Sequence, residues 1–128
     1  MTSRQPSTEH SLNIRKPYFD LIASGDKTIE VRVGYPKIRR IGAGDTLRIT
    51  CADESLSKRV TAVREYPSFA ALLDNENVSA IGGPDMTHDQ LVAAIRDIYP
   101  PEKEALGVFA LHLAAPAERQ SGPDAIAP

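Results

Sequence analysis

The chain lacks what several protein classes require. Its 128 residues include one cysteine, Cys51, and no tryptophan, and aromatic residues make up only 5%. A lone cysteine excludes an internal disulfide and a zinc site built on cysteine pairs. No apolar run approaches the ~20 residues of a membrane-spanning helix. Met1 to His10 holds no apolar stretch suited to a signal peptide, so the expected compartment is the cytosol, with no membrane partner. The three histidines, His10, His88 and His112, have no metal-ligand spacing between them, and neither a metal nor a cofactor is implied. What remains is the composition of one globular domain, with 41% hydrophobic and 25% charged residues. At this length a single core needs no staple, and a monomer is the default.

The net charge of −2 hides an asymmetry. Residues 11–64 carry eleven Lys/Arg against six Asp/Glu, whereas residues 65–128 carry three against ten. A basic half beside an acidic half points to an acidic ligand met by one face only.

The ends read as loose. Residues 1–10 are polar, and residues 114–128 repeat Ala and Pro with scattered charge, too little apolar surface to offset chain entropy. The folded unit is expected over 11–113. Within it Ser11 to Ile14 reads as a short strand. Pro17 opens a helix with Tyr18, Leu21 and Ile22 as its stripe, and Gly25 is placed to end it. Thr28 to Val33 alternates strictly, with Ile29, Val31 and Val33 inward and Thr28, Glu30 and Arg32 outward. Tyr35 to Arg40 reads as a basic loop and Gly42 to Asp45 as a turn. Thr46 to Cys51 is a strand with Leu47, Ile49 and Cys51 inward. Lys58 to Glu65 is another, whose Val60 and Val63 fall out of phase unless a bulge intervenes. Ser68 caps a short helix, residues 75–85 read as an irregular connection, and Thr87 with Gln90 forms a capping box for a long helix. Leu91, Ile95 and Ile98 mark that helix's buried stripe, and Pro100-Pro101 stop it. Gly107 to Leu113 is the last strand. About five strands with short helices that do not alternate regularly predict an α+β fold, a small bent sheet or half-open barrel with helices at its ends.

The chemistry concentrates in the first half. Residues two apart on a strand share a face about 6.6–7 Å apart, so Thr28, Glu30 and Arg32 form a polar row introduced by Lys27. A solvent-facing row of ion pairs has that spacing. So does a cleft wall in which Glu30 holds two cations against a phosphate, a base edge or a carbonyl. The segment Tyr35, Lys37, Arg39 and Arg40 adds three cations beside an aromatic ring, suited to phosphate contact and base stacking, with Arg15 and Lys16 completing the basic set.

The order of these residues resembles an ASCH domain. Lys16-Pro17-Tyr18 is followed by Gly25, Lys27, Glu30 and Arg32 in the pattern G-x-K-x-x-E-x-R. Gly44-Asp45 then enters a strand, and Asp97-Ile98-Tyr99-Pro100 ends the long helix. The resemblance runs from about residue 12 to 113. It implies a PUA-like fold, a small mixed β-barrel with helices packed at its ends, and a cleft where the motif residues gather. It implies RNA or a nucleotide as ligand, and together with the basic set the expected binding residues are Arg15, Lys16, Lys27, Thr28, Glu30, Arg32, Tyr35, Lys37, Arg39 and Arg40. As alternatives it implies a hydrolase: an amidohydrolase acting on N4-acetylcytidine, or a ribonuclease using Lys27 with Thr28 or Tyr35. The amidohydrolase set of that family is a lysine, a threonine three residues later and a glutamate before the long helix. Here the lysine falls on Lys27, the threonine position holds Glu30, and the glutamate region reads Gly83-Pro84-Asp85-Met86. A hydrolytic variant would pair Lys27 with Glu30 as general base, with Asp85 as a shorter stand-in for the glutamate.

Overall fold

The computed structural model describes residues 8–116. Five strands form one mixed sheet: β1 (Glu9–Asn13), β2 (Ile29–Val33), β3 (Thr46–Cys51), β4 (Glu54–Tyr66) and β5 (Val108–Ala114), in the order β1-β3-β4-β5-β2. β1 pairs with β3 in parallel, and every other pairing is antiparallel. The helices are α1 (Lys16–Ser24), α2 (Pro36–Arg39), α3 (Phe69–Asn75), α4 (Val78–Gly82) and α5 (His88–Ile98), and a 3-10 turn covers Pro101–Leu106. The architecture is the α+β half-barrel expected of a PUA-like fold. No helix among the described residues is long and apolar enough to cross a membrane.

The sheet is buried on both faces where β5 runs, and two cores result. Phe109, Leu111 and Leu113 point into the curl, against Leu12, Leu47, Ile49 and Val60 and against Phe19 and Ile22 of α1. Val108 and Ala110 point the other way, onto Phe69, Leu72 and Leu73 of α3 and Leu91 and Ile95 of α5. Ile29 and Val33 of β2 join this second core. The inward parity read from the alternation of residues 29–33 is therefore real, but it faces the helical layer. The supposed solvent face looks into the curl, because Glu30 lies opposite Leu111 and Arg32 opposite Phe109.

Several local expectations meet the structure directly. Ser68 accepts from the Ala71 N–H to cap α3, a bond worth about 1 kcal/mol. The Thr87–Gln90 capping box forms at α5. The parity break in β4 is a register shift between Val60 and Ala62. Others differ. β1 begins at Glu9, not Ser11, because the Thr46 N–H donates to Thr8 O and His10 pairs with Asp45 at 2.8 Å. Residues 1–7 and 117–128 lie outside the described residues, and with them most of both segments expected to be loose. The irregular connection contains α4, capped by Asn77. The basic loop contains α2, whose Ile38 enters the first core. The expected stripe of α1 turns by one residue: Phe19 and Ile22 are buried, while Tyr18 is half-buried toward a cleft.

Candidate functional site

The two edge strands of the curled sheet, β1 and β2, do not pair with each other, and the seam between them is a cleft of about 190 Å³. Asn13, Ile14 and Arg15 line one side. Lys27, Glu30, Val31 and Arg32 form its floor, and α5 with Tyr99 supplies an apolar wall of Leu91, Ala94, Ile95 and Ile98. Arg32 bridges the seam: its Nη2 donates to the carbonyl of Asn13 at 2.8 Å while its Nε donates to Glu30 Oε2 at 2.6 Å.

Local structure delivers Lys27 to this floor. Gly25 ends α1 at φ 90°, a left-handed conformation that suits glycine, and the chain turns so that the Lys27 N–H reaches back to Leu21 O. Gly83, at φ 92°, closes α4 against α1, where a Cβ would meet the Leu21 side chain at 3.1 Å. That approach sets the carbonyl of Ile81 above the lysine. Lys27 Nζ donates to Ile29 O at 2.6 Å and Ile81 O at 2.7 Å, and pairs with Glu30 Oε1 at 3.2 Å. It also stands 5.8 Å from the centroid of the Tyr18 ring.

Lys27 and Glu30 are 4% and 6% exposed, so their electrostatics are those of an interior. Burial pushes the Lys27 amine below its ordinary value, and the Glu30 charge opposes this only in part. Burial also pushes the Glu30 carboxyl up, but Lys27 and Arg32 together outweigh it and hold its pKa below the usual glutamate range. A lowered amine pKa is what a nucleophilic lysine needs, yet the geometry points elsewhere. Three acceptors surround Nζ, and only the ammonium form carries three N–H groups to satisfy them. Lys27 is thus a charged strut without a lone pair, and Glu30 a weak base with each oxygen already engaged. Arg32 differs, because part of its guanidinium fork stays uncommitted among the described residues and faces the cleft.

Of the residues singled out by sequence, Arg15, Lys27, Glu30 and Arg32 meet in the cleft. Thr28 does not line it: it is exposed, and its N–H turns to Ala80 O. Lys16 pairs on the surface with Asp20 and Glu54. Lys37 and Arg40 are exposed on and beside α2, outside the lining. Arg39 is a tie, bonded to Gly34 O, Leu106 O and Glu65 and lying over the Phe109 ring. Tyr35, also outside the lining, sits 5.5 Å from Lys103 Nζ. Asp85 is exposed and outside the lining as well. Sequence reading missed Tyr18, Tyr99 and Ile98 as cleft residues. Ile98, expected in the core, is 43% exposed. Its place at the last turn of α5, next to an aromatic and before two prolines, was the available signal.

Among solved structures, the crystal structure of hypothetical protein PH0355 is similar, at 27% identity and TM-score 0.75, covering 83% of this chain and 97% of that one. The solution structure of protein PF0455 from Pyrococcus furiosus is 28% identical, with TM-score 0.66 and coverage of 83% and 96%. No curated protein matches the chain. The model of the ASCH domain matches residues 12–117, and with the half-barrel and the motif residues gathered at its seam, the chain belongs to the ASCH domain family.

Proposed function

We propose that the seam cleft binds a single nucleobase of an RNA or a free nucleotide, as a recognition site and not as a hydrolase. The observation that carries this reading is the Lys27–Glu30–Arg32 network lying buried beneath a small open cleft, with Arg32 retaining free donors. At about 190 Å³ the cleft is smaller than the roughly 300–1,000 Å³ of drug-sized pockets, so it suits one flat ring. Tyr18 and Tyr99 offer ring faces, α5 offers an apolar wall, and the floor is polar. A nucleobase, with apolar faces and a polar edge, has the matching anisotropy. Arg15 and the free side of Arg32 suit a phosphate at the mouth, and exposed Lys37 and Arg40 offer phosphate contacts beyond it.

Hydrolysis finds less support in the same geometry. An amidohydrolase or ribonuclease step needs a lone pair or a competent base, and Lys27 and Glu30 are each occupied with the other.

Fluorescence anisotropy with short labelled RNAs tests the reading. Affinity is expected to fall as salt rises, with a log–log slope of about 0.7 per phosphate neutralised on a single strand. Binding that ignores salt, or that survives Arg15→Ala with Arg32→Ala unchanged, contradicts it. For the hydrolytic alternative, cytidine released from N4-acetylcytidine above a Lys27→Ala control would overturn the preference.

A further inference from the structure

β2 is an edge strand, and its unpaired edge borders the cleft. In an antiparallel pair, alternate residues direct both backbone groups to the partner and the others direct both away. Two bonds fix the phase: the Leu113 N–H donates to Thr28 O at 2.8 Å and the Gly34 N–H to Gly107 O at 2.9 Å. With the β2–β5 register unbroken, Glu30 and Arg32 turn both backbone groups to β5, as do the Thr28 carbonyl and the Gly34 N–H. Ile29, Val31 and Val33 turn theirs to the open seam.

The groups next to Val31 on that edge are taken. Ile29 O accepts from Lys27 Nζ, and Val33 O accepts from the Tyr35 N–H. Val31 faces Ala110 as a non-hydrogen-bonded pair, no bond outside the strand ladder takes its N–H or C=O among the described residues, and Val31 lines the cleft. Both groups of one extended residue point the same way, side by side, as a neighbouring donor and acceptor.

We propose that this Val31 pair reads the ligand's edge. Its N–H donates to an acceptor on the base edge, a ring nitrogen or a carbonyl oxygen, and its C=O accepts from the N–H at the next position, a ring N–H or an exocyclic amine. The inference rests on the nucleotide reading above and adds its recognition element. The chemical class is a planar heterocycle carrying an acceptor and an N–H donor at adjacent positions of one edge, a property of every standard nucleobase. Addition of a peptide strand is disfavoured, because a strand needs a run of free groups and the open window is one residue wide. Backbone recognition of this kind tells a base with an intact pairing edge from one whose edge is blocked, and discriminates little among the four bases.

Calorimetric titration of the whole chain with the four ribonucleoside 5′-monophosphates, followed by the tightest of them with its edge donor methylated, tests this. The blocked forms are 3-methyluridine, 1,N2,N2-trimethylguanosine, N6,N6-dimethyladenosine and N4,N4-dimethylcytidine monophosphates. The blocked ligand is expected to bind at least about tenfold more weakly, since the Val31 carbonyl loses its donor in a desolvated site. Equal binding of both forms overturns this inference and leaves the nucleotide reading standing. Absence of binding by all four, with RNA also silent, removes the nucleotide reading itself. A short extended peptide that binds and shifts the Val31 amide resonance, where no nucleotide does, overturns it in favour of strand addition. Val31→Pro gives the second arm: it deletes the N–H on the open edge, where proline is tolerated, and is expected to cause a comparable loss. Should that variant fail to fold, the methylated ligands decide alone.

Discussion

Two glutamates of this chain sit with nearly buried side chains between two polar partners, on opposite faces of the sheet. Glu30 is held by Lys27 at 3.2 Å and Arg32 at 2.6 Å. Glu76, from the end of α3, accepts from the Tyr66 hydroxyl at 2.6 Å and lies 2.9 Å from His112 Nε2. That nitrogen is buried and off the hydrogen-bonding direction, with no other partner among the described residues. The bond to Glu76, reinforced by burial, pushes the Tyr66 phenol above its ordinary value. The surroundings separate the two. The Glu30 group floors the seam cleft, whereas Glu76 and His112 line neither that cleft nor the open depression that Tyr66 shares with Arg39, Glu65 and Glu104. A buried acid with partners is a packing solution wherever it occurs. It becomes part of a site when a concave opening and uncommitted donors stand over it.

The largest difference between the two should appear in stability. Glu30→Gln leaves Lys27 buried without its counter-charge and is expected to cost about 3–5 kcal/mol. Glu76→Gln keeps an acceptor for Tyr66 and is expected to cost about 1–3 kcal/mol. Urea unfolding at neutral pH measures both, and the reverse order would break the comparison. Binding should separate them further. Glu30→Gln loosens Arg32 and weakens RNA binding, while Glu76→Gln leaves it unchanged.

Acid sharpens the same point. The folded-state pKa of Glu30 lies below the ordinary 4.5, so its contribution is fully present above that value and is lost as pH falls through the depressed folded value. Stability of the wild-type chain, followed by urea midpoints from neutral pH downward, is therefore expected to decline below about pH 4.5, and less steeply in Glu30→Gln. An identical acid limb in both chains would contradict the assignment of that charge.

Smaller effects belong to the cleft's mouth. Arg15→Ala, at an exposed position, should leave stability within about 0.5 kcal/mol of wild type and reduce the salt slope of RNA binding by about one phosphate contact. Lys37→Ala with Arg40→Ala should do the same more weakly, since both stand outside the cleft. Arg39→Ala is expected to lower stability instead, because its side chain ties α2 to the 3-10 turn and β4.

The three cations of residues 37–40 show where the sequence stops being legible. Composition sees a run of equal charges, but the fold gives Arg39 three partners and leaves Lys37 and Arg40 exposed. The alternation of residues 28–33, the caps of α3 and α5 and the bulge in β4 were readable because each depends on neighbours within a few positions. The fate of the polar row was not. Whether Glu30 and Arg32 meet water or a buried seam depends on β1 curling toward β2, a long-range closure with no local signature. α4 escaped because its few residues end in Gly82-Gly83-Pro84, which reads as a turn, and its helix is held by packing on α1 and α5. The Glu76–His112 pair joins an element of the middle of the chain to the last strand, a long-range contact with no local signature.

The central claim is that recognition occurs at the seam between β1 and β2. Chemical-shift mapping of the uniformly 15N-labelled chain, titrated with a short single-stranded RNA, tests it most directly. The account predicts that the largest shifts fall on residues 13–15, on Tyr18, on residues 30–32 and on the last turn of α5 through Tyr99. Shifts confined to the Tyr66–Glu76–His112 group on the opposite face of the sheet, or to the outer face of β3 and β4 around Arg48 and Arg59, with the seam silent, would contradict it.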